Sequence, residues 1–194
     1  MRILSGKLKG SKILTNNNKI RGSEDFITRP TSDRVKETLF NIVQHGFNID
    51  ISNVSFLDCF SGSGAIGLEA ISRGCLSVSF LEKNNAACEC IKKNLANFKL
   101  NDNDNGLSYR ILNYDFFDKD LLLDNEFDVV FLDPPYETAT VSEVFLRLEE
   151  LRVTKKNSLI IYESNKELVK VDKLEILKSR KTGKTHLSFL KFLN

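Results

Sequence analysis

The sequence predicts an α/β protein in which helices cover both faces of a doubly wound, mixed sheet of seven strands. Apolar strand patterns alternate with helical patterns between residues 54 and 162, an arrangement that requires parallel strands joined by right-handed crossovers. A glycine-rich turn joins the first strand of this series to the helix that follows it. Two further strand patterns flank Thr182 and Gly183. They predict a closing antiparallel hairpin, which makes the sheet mixed.

The chain before the alternating region is predicted to contain a basic arm and one helix. Residues 1–28 are expected to form a short β-hairpin or an extended arm, because glycines and the asparagine cluster at 16–18 supply turns between the lysines. The segment 31–33 offers N-caps to a helix that Gly46 can end. The chain therefore divides into an N-terminal arm and a main domain at 29–194.

The elements of the alternating region are predicted from hydrophobic periodicity. Strands are expected at 54–60, 76–81, 107–112, 127–132 and 158–162, and the closing hairpin at 174–180 and 185–192. Helices are expected at 65–73, 85–98 and 140–151, with a short helical piece between the third and fourth strands. In the last of the three long helices, Val141, Val144 and Phe145 share one apolar face.

Composition excludes several classes of protein. The 194 residues fit one domain, and a hydrophobic content of 41% is enough for a sizeable core. No apolar run approaches the roughly 20 residues that a membrane helix needs, and residues 1–7 lack the apolar stretch of a signal peptide. The four cysteines have no metal-binding spacing, so we expect no metal, and reduced thiols in the cytoplasm. We also expect a monomer without a membrane partner.

The charge distribution is uneven, although the net charge is +2. Residues 1–22 carry six basic side chains and 178–191 carry five, with no acidic residue in either segment. Between residues 101 and 150, thirteen acids stand against three bases. Basic ends around an acidic middle predict a polyanionic partner held by both ends of the chain. Lysines that only keep exposed hairpins in contact with water would give the same charge distribution.

The glycine-rich turn lies within 56–67, where Gly62, Gly64 and Gly67 have the spacing G-x-G-x-x-G. This spacing alone is a weak indication of a dinucleotide site. Asp58, at the end of the preceding strand, argues against a pyrophosphate because the negative charges would repel each other. A cationic sulfonium cofactor with an ammonium group has no such penalty. Asp58 is expected to help hold such a cofactor, directly or through water.

Three more acidic residues follow predicted strands. Glu82 follows the second strand, where a carboxylate can accept hydrogen bonds from both hydroxyls of a ribose. A surface ion pair with Lys83 is a plainer interpretation. Asp115 follows the third strand. It is expected to accept a hydrogen bond from the adenine amine of the cofactor, or else to cap a short helix. Asp133 ends the fourth strand. Because the carboxyl ends of parallel strands meet at one crevice, these acids and Asp58 are expected to share one site.

The fourth strand ends in the tetrapeptide Asp133-Pro134-Pro135-Tyr136. Neither proline can continue a central strand, so a carboxylate, free backbone carbonyls and an aromatic ring are left at the edge of the sheet. Hydrogen-bond acceptors beside a flat ring suit a planar amine, which is the chemistry of methylating an exocyclic amino group of a nucleobase. The alternative is a simple turn with the tyrosine packed in the core.

Together these segments resemble a class I S-adenosylmethionine-dependent methyltransferase with a Rossmann-like fold. The segment 56–64 resembles its cofactor loop, and 133–136 resembles its amino-methylating tetrapeptide. The blocks at 29–41 and 67–70, together with the start of the chain at 1–3, are more specific. They resemble the RsmD family of bacterial 16S rRNA (guanine-N2)-methyltransferases, and the resemblance covers nearly the whole chain.

The resemblance implies transfer of a methyl group from S-adenosyl-L-methionine to the N2 amine of one guanine in 16S rRNA, within an assembling 30S particle. Cofactor binding is expected from Asp58, Ser61, Gly62, Gly64, Glu82, Asp115 and Phe116. Catalysis is expected from Asp133, Pro134 and Tyr136. RNA contacts are expected from Arg2, Lys7, Lys9, Lys12, Arg29, Arg34, Lys181 and Lys184. For Arg29, contact with the cofactor carboxylate and a salt bridge that orients the helix are alternatives.

Three other functions are compatible with parts of this pattern. An adenine-N6 methyltransferase acting on DNA or RNA would use the same tetrapeptide, although the chain has no large segment for target recognition. A noncatalytic RNA-binding assembly factor would be expected to have lost some of the acidic residues, and all of them are present. A nicotinamide oxidoreductase would have no use for 133–136.

Overall fold

The computed structural model describes residues 1–15, 32–135 and 139–193, and within them seven strands form one sheet. The strands are β1 (Ser55–Cys59), β2 (Ser77–Leu81), β3 (Ser108–Leu112), β4 (Phe127–Leu132), β5 (Thr154–Ser164), β6 (Leu174–Thr182) and β7 (Thr185–Phe192). Their order across the sheet is β3-β2-β1-β4-β5-β7-β6. β1 to β5 are parallel, whereas β7 runs antiparallel to both β5 and β6. The predicted mixed seven-stranded sheet is confirmed.

Four α-helices accompany this sheet in the described ranges: α1 (Asp33–Asn41), α2 (Ala65–Ser72), α3 (Asn85–Asn97) and α4 (Val141–Leu151). Short 3-10 turns lie at Ile51–Asn53 and Asp104–Gly106. α1 starts where predicted because the Ser32 side chain accepts the N–H of Val35. A π-helical turn, Ile42–Gly46, follows α1. α4 starts at a capping box formed by Thr140 and Glu143.

Two predicted elements differ from the structure. β5 is longer than the predicted 158–162, because pairing with β7 continues through Glu163 and Ser164. The helical piece predicted between β3 and β4 is wrong, since residues 113–126 hold turns instead. In that segment the carbonyl oxygens of Phe116 and Asp118 accept hydrogen bonds from a side chain of α4. A tertiary contact therefore satisfies carbonyls that a helix would have bonded internally.

The core lies in two apolar clusters, because successive residues of a strand point to opposite faces of a sheet. Phe56 and Phe131 belong to the cluster that also contains buried residues of α1, α2 and α3. Leu57 and Leu132, their neighbours along the chain, belong to the cluster that contains the buried residues of α4. Both faces of the sheet are therefore covered, as a parallel sheet requires.

The described part of the predicted arm, residues 1–15, packs against the first of these clusters. A β-bridge between Arg2 and Lys12 closes this segment into a loop. Ile3 and Ile13 are each 1% exposed and belong to the core. Burial of both isoleucines attaches the loop to the sheet domain, since it removes apolar surface from water. The rest of the predicted arm lies outside the described residues.

Candidate active site

The carboxyl ends of β3, β2, β1 and β4 lie side by side along one edge of the sheet. β1 and β4 are neighbours although β2 and β3 separate them along the chain, so the strand order switches between them. Ligands of doubly wound sheets bind in the crevice at such a point. The structure brings the four predicted acids to this edge: Asp58 within β1, Glu82 directly after β2, Asp115 after β3 and Asp133 directly after β4.

Asp58 lies beneath the glycine loop and is 1% exposed. Its Oδ2 atom accepts the backbone N–H of Gly67 at 2.9 Å, which ties β1 to α2. Burial raises the pKa of Asp58 to about 7. The Gly67 hydrogen bond opposes this increase, and the negative charges of Asp133 and Glu82 add to it. Three of the four carboxylates therefore lie within electrostatic reach of one another.

The raised pKa of Asp58 predicts how stability depends on pH. The carboxyl has an ordinary pKa of 3.8, so between about pH 4 and pH 7 the folded protein binds more protons than the unfolded chain. The free energy of unfolding should fall as the pH rises through this window, by on the order of 4 kcal/mol in total. Urea unfolding of the wild type and of Asp58→Asn at about pH 5 and about pH 8 measures this change.

The asparagine variant serves as the reference because its side-chain oxygen still accepts the Gly67 N–H but does not titrate. We expect the wild type to lose more stability than Asp58→Asn between the two pH values. Equal losses would mean that another group carries the pH dependence.

The glycine loop is held to the end of β2 by polar contacts. The Ser61 hydroxyl donates to the carbonyl oxygen of Asp58 at 2.5 Å and to that of Leu81 at 3.2 Å. The backbone N–H of Gly62 donates to Glu82 Oε2 at 2.8 Å. These bonds hold the loop against the strand ends where the predicted cofactor residues lie.

The turn from this loop into α2 depends on two glycines. Gly64 is the N-cap of α2 and has a φ of +76°. A Cβ on Gly67 would lie 2.3 Å from Cε1 of the Phe80 ring. Because real Cβ atoms do not approach other atoms so closely, α2 can pack this tightly on β2 only with glycine at position 67.

The Glu82 carboxylate is held in place by backbone N–H groups on both sides. Besides the Gly62 N–H, it accepts the N–H of Asn84 at 2.8 Å through Oε1. The plainer interpretation, a pair with Lys83, is wrong, because Lys83 instead donates to Asp115 Oδ2 at 3.1 Å. Glu82 is half-buried at the strand end. Its oxygens face the loop, where they could also meet ligand hydroxyls.

Asp115 caps a turn, since its Oδ1 atom accepts the N–H of Phe117 at 3.0 Å; the helix that it was expected to cap as the alternative to adenine binding does not form. Phe116 is 2% exposed, and its ring centroid lies 5.0 Å from that of Phe60. Phe117 completes a three-ring cluster, 5.1 Å from Phe116 between centroids. An aromatic wall therefore stands beside the acidic strand ends.

Phe60 is not among the predicted site residues, and the structure places it between β1 and the glycine loop. Its φ is +58°, a left-handed conformation that is strained for a bulky side chain. The bulky residue between a strand end and a glycine turn is the feature of the sequence that could have indicated it.

Arg147 of α4 was also missed; its guanidinium donates to the carbonyl oxygens of Phe116 at 3.0 Å and Asp118 at 2.5 Å. It fixes the turn that carries the aromatic wall.

At the end of β4, Asp133 is half-buried, Pro134 is buried and Pro135 is exposed. The sheet stops here as predicted, because β4 ends at Leu132. Tyr136 lies outside the described residues. In the ranges that the structure describes, no group of side chains is arranged to hold a metal ion, and no helix is long and apolar enough to cross a membrane.

The predicted RNA-contacting residues lie on three elements. Those with exposed positions in the structure are Arg2, Lys7, Lys9 and Lys12 in the N-terminal loop, Arg34 on α1, and Lys181 and Lys184 beside the turn between β6 and β7. Arg2 donates to Asp33 Oδ2 at 3.2 Å. Arg29 lies outside the described residues.

The turn between β6 and β7 lies at the same edge of the sheet as the acids. Ser164, the last residue of β5, pairs with His186, which lies two residues after Lys184. The carboxyl end of β5 is therefore beside this turn, and β5 is the neighbour of β4. Lys181 and Lys184 accordingly stand on the side of the molecule where Asp133 is found.

Comparison with known proteins agrees with the fold. A family model described as "Conserved hypothetical protein 95" matches residues 1–191. The chain belongs to this family, the RsmD family. Ribosomal RNA small subunit methyltransferase D of Haemophilus influenzae is 35% identical over 187 residues, which are 94% of this chain and 89% of that protein.

Two further proteins extend the comparison over the whole chain. Ribosomal RNA small subunit methyltransferase D of Buchnera aphidicola subsp. Baizongia pistaciae is 33% identical over 198 residues, covering 100% of this chain and 93% of that protein. The solved structure of a putative methyltransferase from Escherichia coli has a TM-score of 0.76 at 28% identity, and the match covers 99% of this chain and 97% of that one. The class I methyltransferase fold is thereby confirmed.

The two segments that carry the RsmD resemblance most specifically meet in a buried ionic network. Lys36 of α1 and Glu69 of α2 are both 0% exposed, with Nζ and Oε2 3.8 Å apart. Glu69 also accepts the backbone N–H groups of Leu4 at 2.8 Å and Ser5 at 3.0 Å. Arg73 Nε donates to the same carboxylate at 2.9 Å. The network fastens the N-terminal loop to the two helices.

Asn94 of α3 makes a second attachment, and the sequence patterns did not indicate it. Asn94 is 0% exposed, and its Oδ1 atom accepts the N–H of Leu14 at 2.8 Å. Its Nδ2 atom donates to the carbonyl oxygens of Leu14 and Ser63, each at 3.1 Å. In this RsmD family member one buried amide therefore links the basic N-terminal loop to the glycine loop.

Proposed function

We propose that this protein transfers a methyl group from S-adenosyl-L-methionine to the N2 amine of one guanine in 16S rRNA. The observation that carries the proposal is that four carboxylates lie along the carboxyl edge of the sheet, three of them within electrostatic reach of one another, with Asp133 and Pro134 directly after the end of β4. The curated relatives are small-subunit ribosomal RNA methyltransferases by name, which supports the same reaction.

The edge fits this cofactor on chemical grounds. Bound S-adenosyl-L-methionine would supply a methyl group on a positively charged sulfur, and it also carries an ammonium group. Carboxylates provide the opposite charge. Glu82 is assigned to the ribose hydroxyls, and Asp115 with Phe116 to the adenine. The remaining cofactor contacts are assigned to the strand end and the loop, through Asp58, Ser61, Gly62 and Gly64.

The end of β4 is assigned to the base. The N2 amine of guanine is a weak nucleophile because its lone pair is delocalised into the ring. Asp133 and the Pro134 carbonyl accept the two N–H groups of the amine, which localises the lone pair on nitrogen. Tyr136 stacks on the base and holds it in line, so positioning supplies much of the rate. Once the nitrogen has gained the methyl group it becomes acidic, and Asp133 is the nearest acceptor for its proton.

The basic surface is assigned to rRNA, with the arm at 1–28 as the RNA contact and 29–194 as the methyltransferase domain. Exposed lysines and arginines neutralise phosphates, and the β6–β7 turn stands at the catalytic edge. Enzymes that modify a base need it unstacked, so the target guanine should lie in a loop or be turned out of a helix. We place this reaction in the cytoplasm, on a 30S particle under assembly.

The proposal is tested by incubating the protein with labelled S-adenosyl-L-methionine and, separately, naked 16S rRNA, 30S particles and DNA. We expect label in 16S rRNA, in N2-methylguanine at one position. Label in N6-methyladenine would instead support the adenine alternative. Absence of label from all three substrates would contradict an enzymatic role and favour a noncatalytic assembly factor.

The role of the β6–β7 turn is tested by the salt dependence of RNA binding. Lys181→Ala/Lys184→Ala should weaken binding to 16S rRNA and make the slope of log K against log salt concentration shallower by roughly 1 to 2. The double variant Lys99→Ala/Lys156→Ala removes the same charge from exposed positions away from this turn. An equal change of slope in both double variants would show that the turn is not a specific RNA contact.

A further inference from the structure

We propose that Glu163 accepts the N1–H of the target guanine beside Asp133 and so selects guanine over adenine. This inference rests on the proposed function and names the residue that decides which purine enters the site. No role was predicted for Glu163 from the sequence, and the carboxylate set described above does not include it.

The strand register places Glu163 next to Asp133. β4 and β5 are parallel neighbours, and Leu132 pairs with Tyr162. Asp133 directly follows Leu132 along the chain, and Glu163 directly follows Tyr162. Adjacent strands lie about 4.8 Å apart, so the two backbones are at hydrogen-bonding separation there. The two acids therefore stand side by side at the carboxyl edge.

Alternation along the strands directs Glu163 to the face of the sheet on which Asp58 lies. Phe131 pairs with Asp58 on one side and with Ile161 on the other. Residues in register on parallel strands share a face, and so do residues two apart on one strand. Glu163 follows Ile161 by two positions within β5 and therefore lies on the face of Asp58. Asp133 acts on the pKa of Asp58, which places its charge near the same point.

The Glu163 carboxylate is buried, and a buried carboxylate must be stabilised by hydrogen bonds. Glu163 is 6% exposed, and a carboxylate is almost never buried so far without hydrogen-bond donors. Asp133 and Glu163 each interact with other groups of the protein. Two carboxylate oxygens offer about four acceptor positions, so such an interaction leaves positions for a base.

The chemistry of the two purines explains the selection. Guanine presents N1–H and the N2 amine next to each other on one edge, which are adjacent donors for two adjacent carboxylates. Adenine presents the N6 amine next to N1, whose lone pair would face a negative charge. A site with Asp133 alone would accept either amine, whereas a second carboxylate at the N1 position admits guanine and repels adenine.

The test compares guanine with 2-aminopurine, which keeps the 2-amine but has no N1–H. Particles or rRNA are prepared with 2-aminopurine at the methylated position. For the wild type, kcat/KM should fall by roughly 10- to 100-fold on the substituted RNA, the loss expected for one hydrogen bond to a charged acceptor. Glu163→Met, of similar volume but without an acceptor, should methylate both RNAs at nearly equal rates.

The ratio between the two RNAs separates recognition from folding, because a structural defect lowers both rates equally. Glu163→Gln, which keeps the shape and a neutral acceptor, should give a ratio between those of the wild type and Glu163→Met. Asp128→Asn, an acid at the opposite end of β4, should keep the wild-type ratio. A wild-type ratio in Glu163→Met and Glu163→Gln would overturn the inference. Absence of N2 methylation on unsubstituted RNA would overturn the proposed function instead.

Discussion

Replacing Asp133 by alanine is expected to lower kcat by about 10³-fold while the Kd of S-adenosyl-L-methionine changes by less than about threefold. The carboxylate at the end of β4 is assigned to the amine and its proton, whereas the proposed cofactor contacts come from β1, β2 and β3. The interaction with Asp133 is therefore made mainly as the methyl is transferred, and such interactions act on kcat. Single-turnover methylation and calorimetric titration with the cofactor measure the two quantities.

Two variants sharpen this experiment. Asp133→Asn keeps one oxygen acceptor but cannot take the proton, so its kcat should lie between those of the wild type and the alanine variant. Asp120→Ala removes an exposed acid from the connection between β3 and β4, and we expect it to act like the wild type. If Asp133→Ala and Asp120→Ala had equal turnover, Asp133 would have no part in the chemistry.

Replacing Glu69 by alanine is expected to lower the free energy of unfolding by about 3–5 kcal/mol, which corresponds to roughly 10 °C in Tm for a chain of this size. The change removes the buried carboxylate beside the Lys36 ammonium, which keeps only the more exposed Asp33 at 3.6 Å, and it removes the acceptor of the Leu4 and Ser5 N–H groups. Burial already lowers the pKa of Lys36, and the charge of Glu69 opposes that decrease. Urea denaturation measures the loss.

A second substitution should restore part of this stability. In Lys36→Met/Glu69→Ala the buried ammonium, which Asp33 alone would compensate only in part, is gone, so the double variant should be more stable than Glu69→Ala alone. Glu89→Ala provides the control, since Glu89 and Lys92 form an ion pair at 2.7 Å in which both side chains are 58% exposed. We expect this change to cost less than about 1 kcal/mol. Equal losses for Glu69→Ala and Glu89→Ala would show that the buried network does not hold the N-terminal loop.

Much of the element order could be predicted because the patterns that carry it are local. The Ser32 cap, the glycine turn before α2 and the stop of β4 before its prolines each depend on a few neighbouring residues. The length of β5 depends on its partners instead. Polar residues at both of its ends become strand because Thr154 pairs with Phe127 and Ser164 with His186.

The residues of the candidate site also divide into those that the sequence could predict and those that depend on the tertiary structure. Asp58, Glu82, Asp115 and Asp133 could be found because each stands at or just beyond the end of a predicted strand. Arg147 and Asn94 could not, since their contacts join segments far apart along the chain. Phe60 was missed, although its position between a strand end and a glycine turn could have indicated it. That Glu82 does not pair with Lys83 was also a matter of tertiary geometry, because Glu82 accepts the N–H groups of Gly62 and Asn84 while Lys83 donates to Asp115.

The sequence by itself determined most of the element order, and so which side chains stand at or near strand ends, because these depend on periodicity and on the conformations of glycine and proline. The tertiary structure decided which strand ends are neighbours. The order β3-β2-β1-β4-β5 sets Asp133 between Asp58 and Glu163, and burial there raises the pKa of Asp58 to about 7. Strand adjacency and desolvation are properties of the packed sheet, since both arise from groups brought together over long separations in sequence.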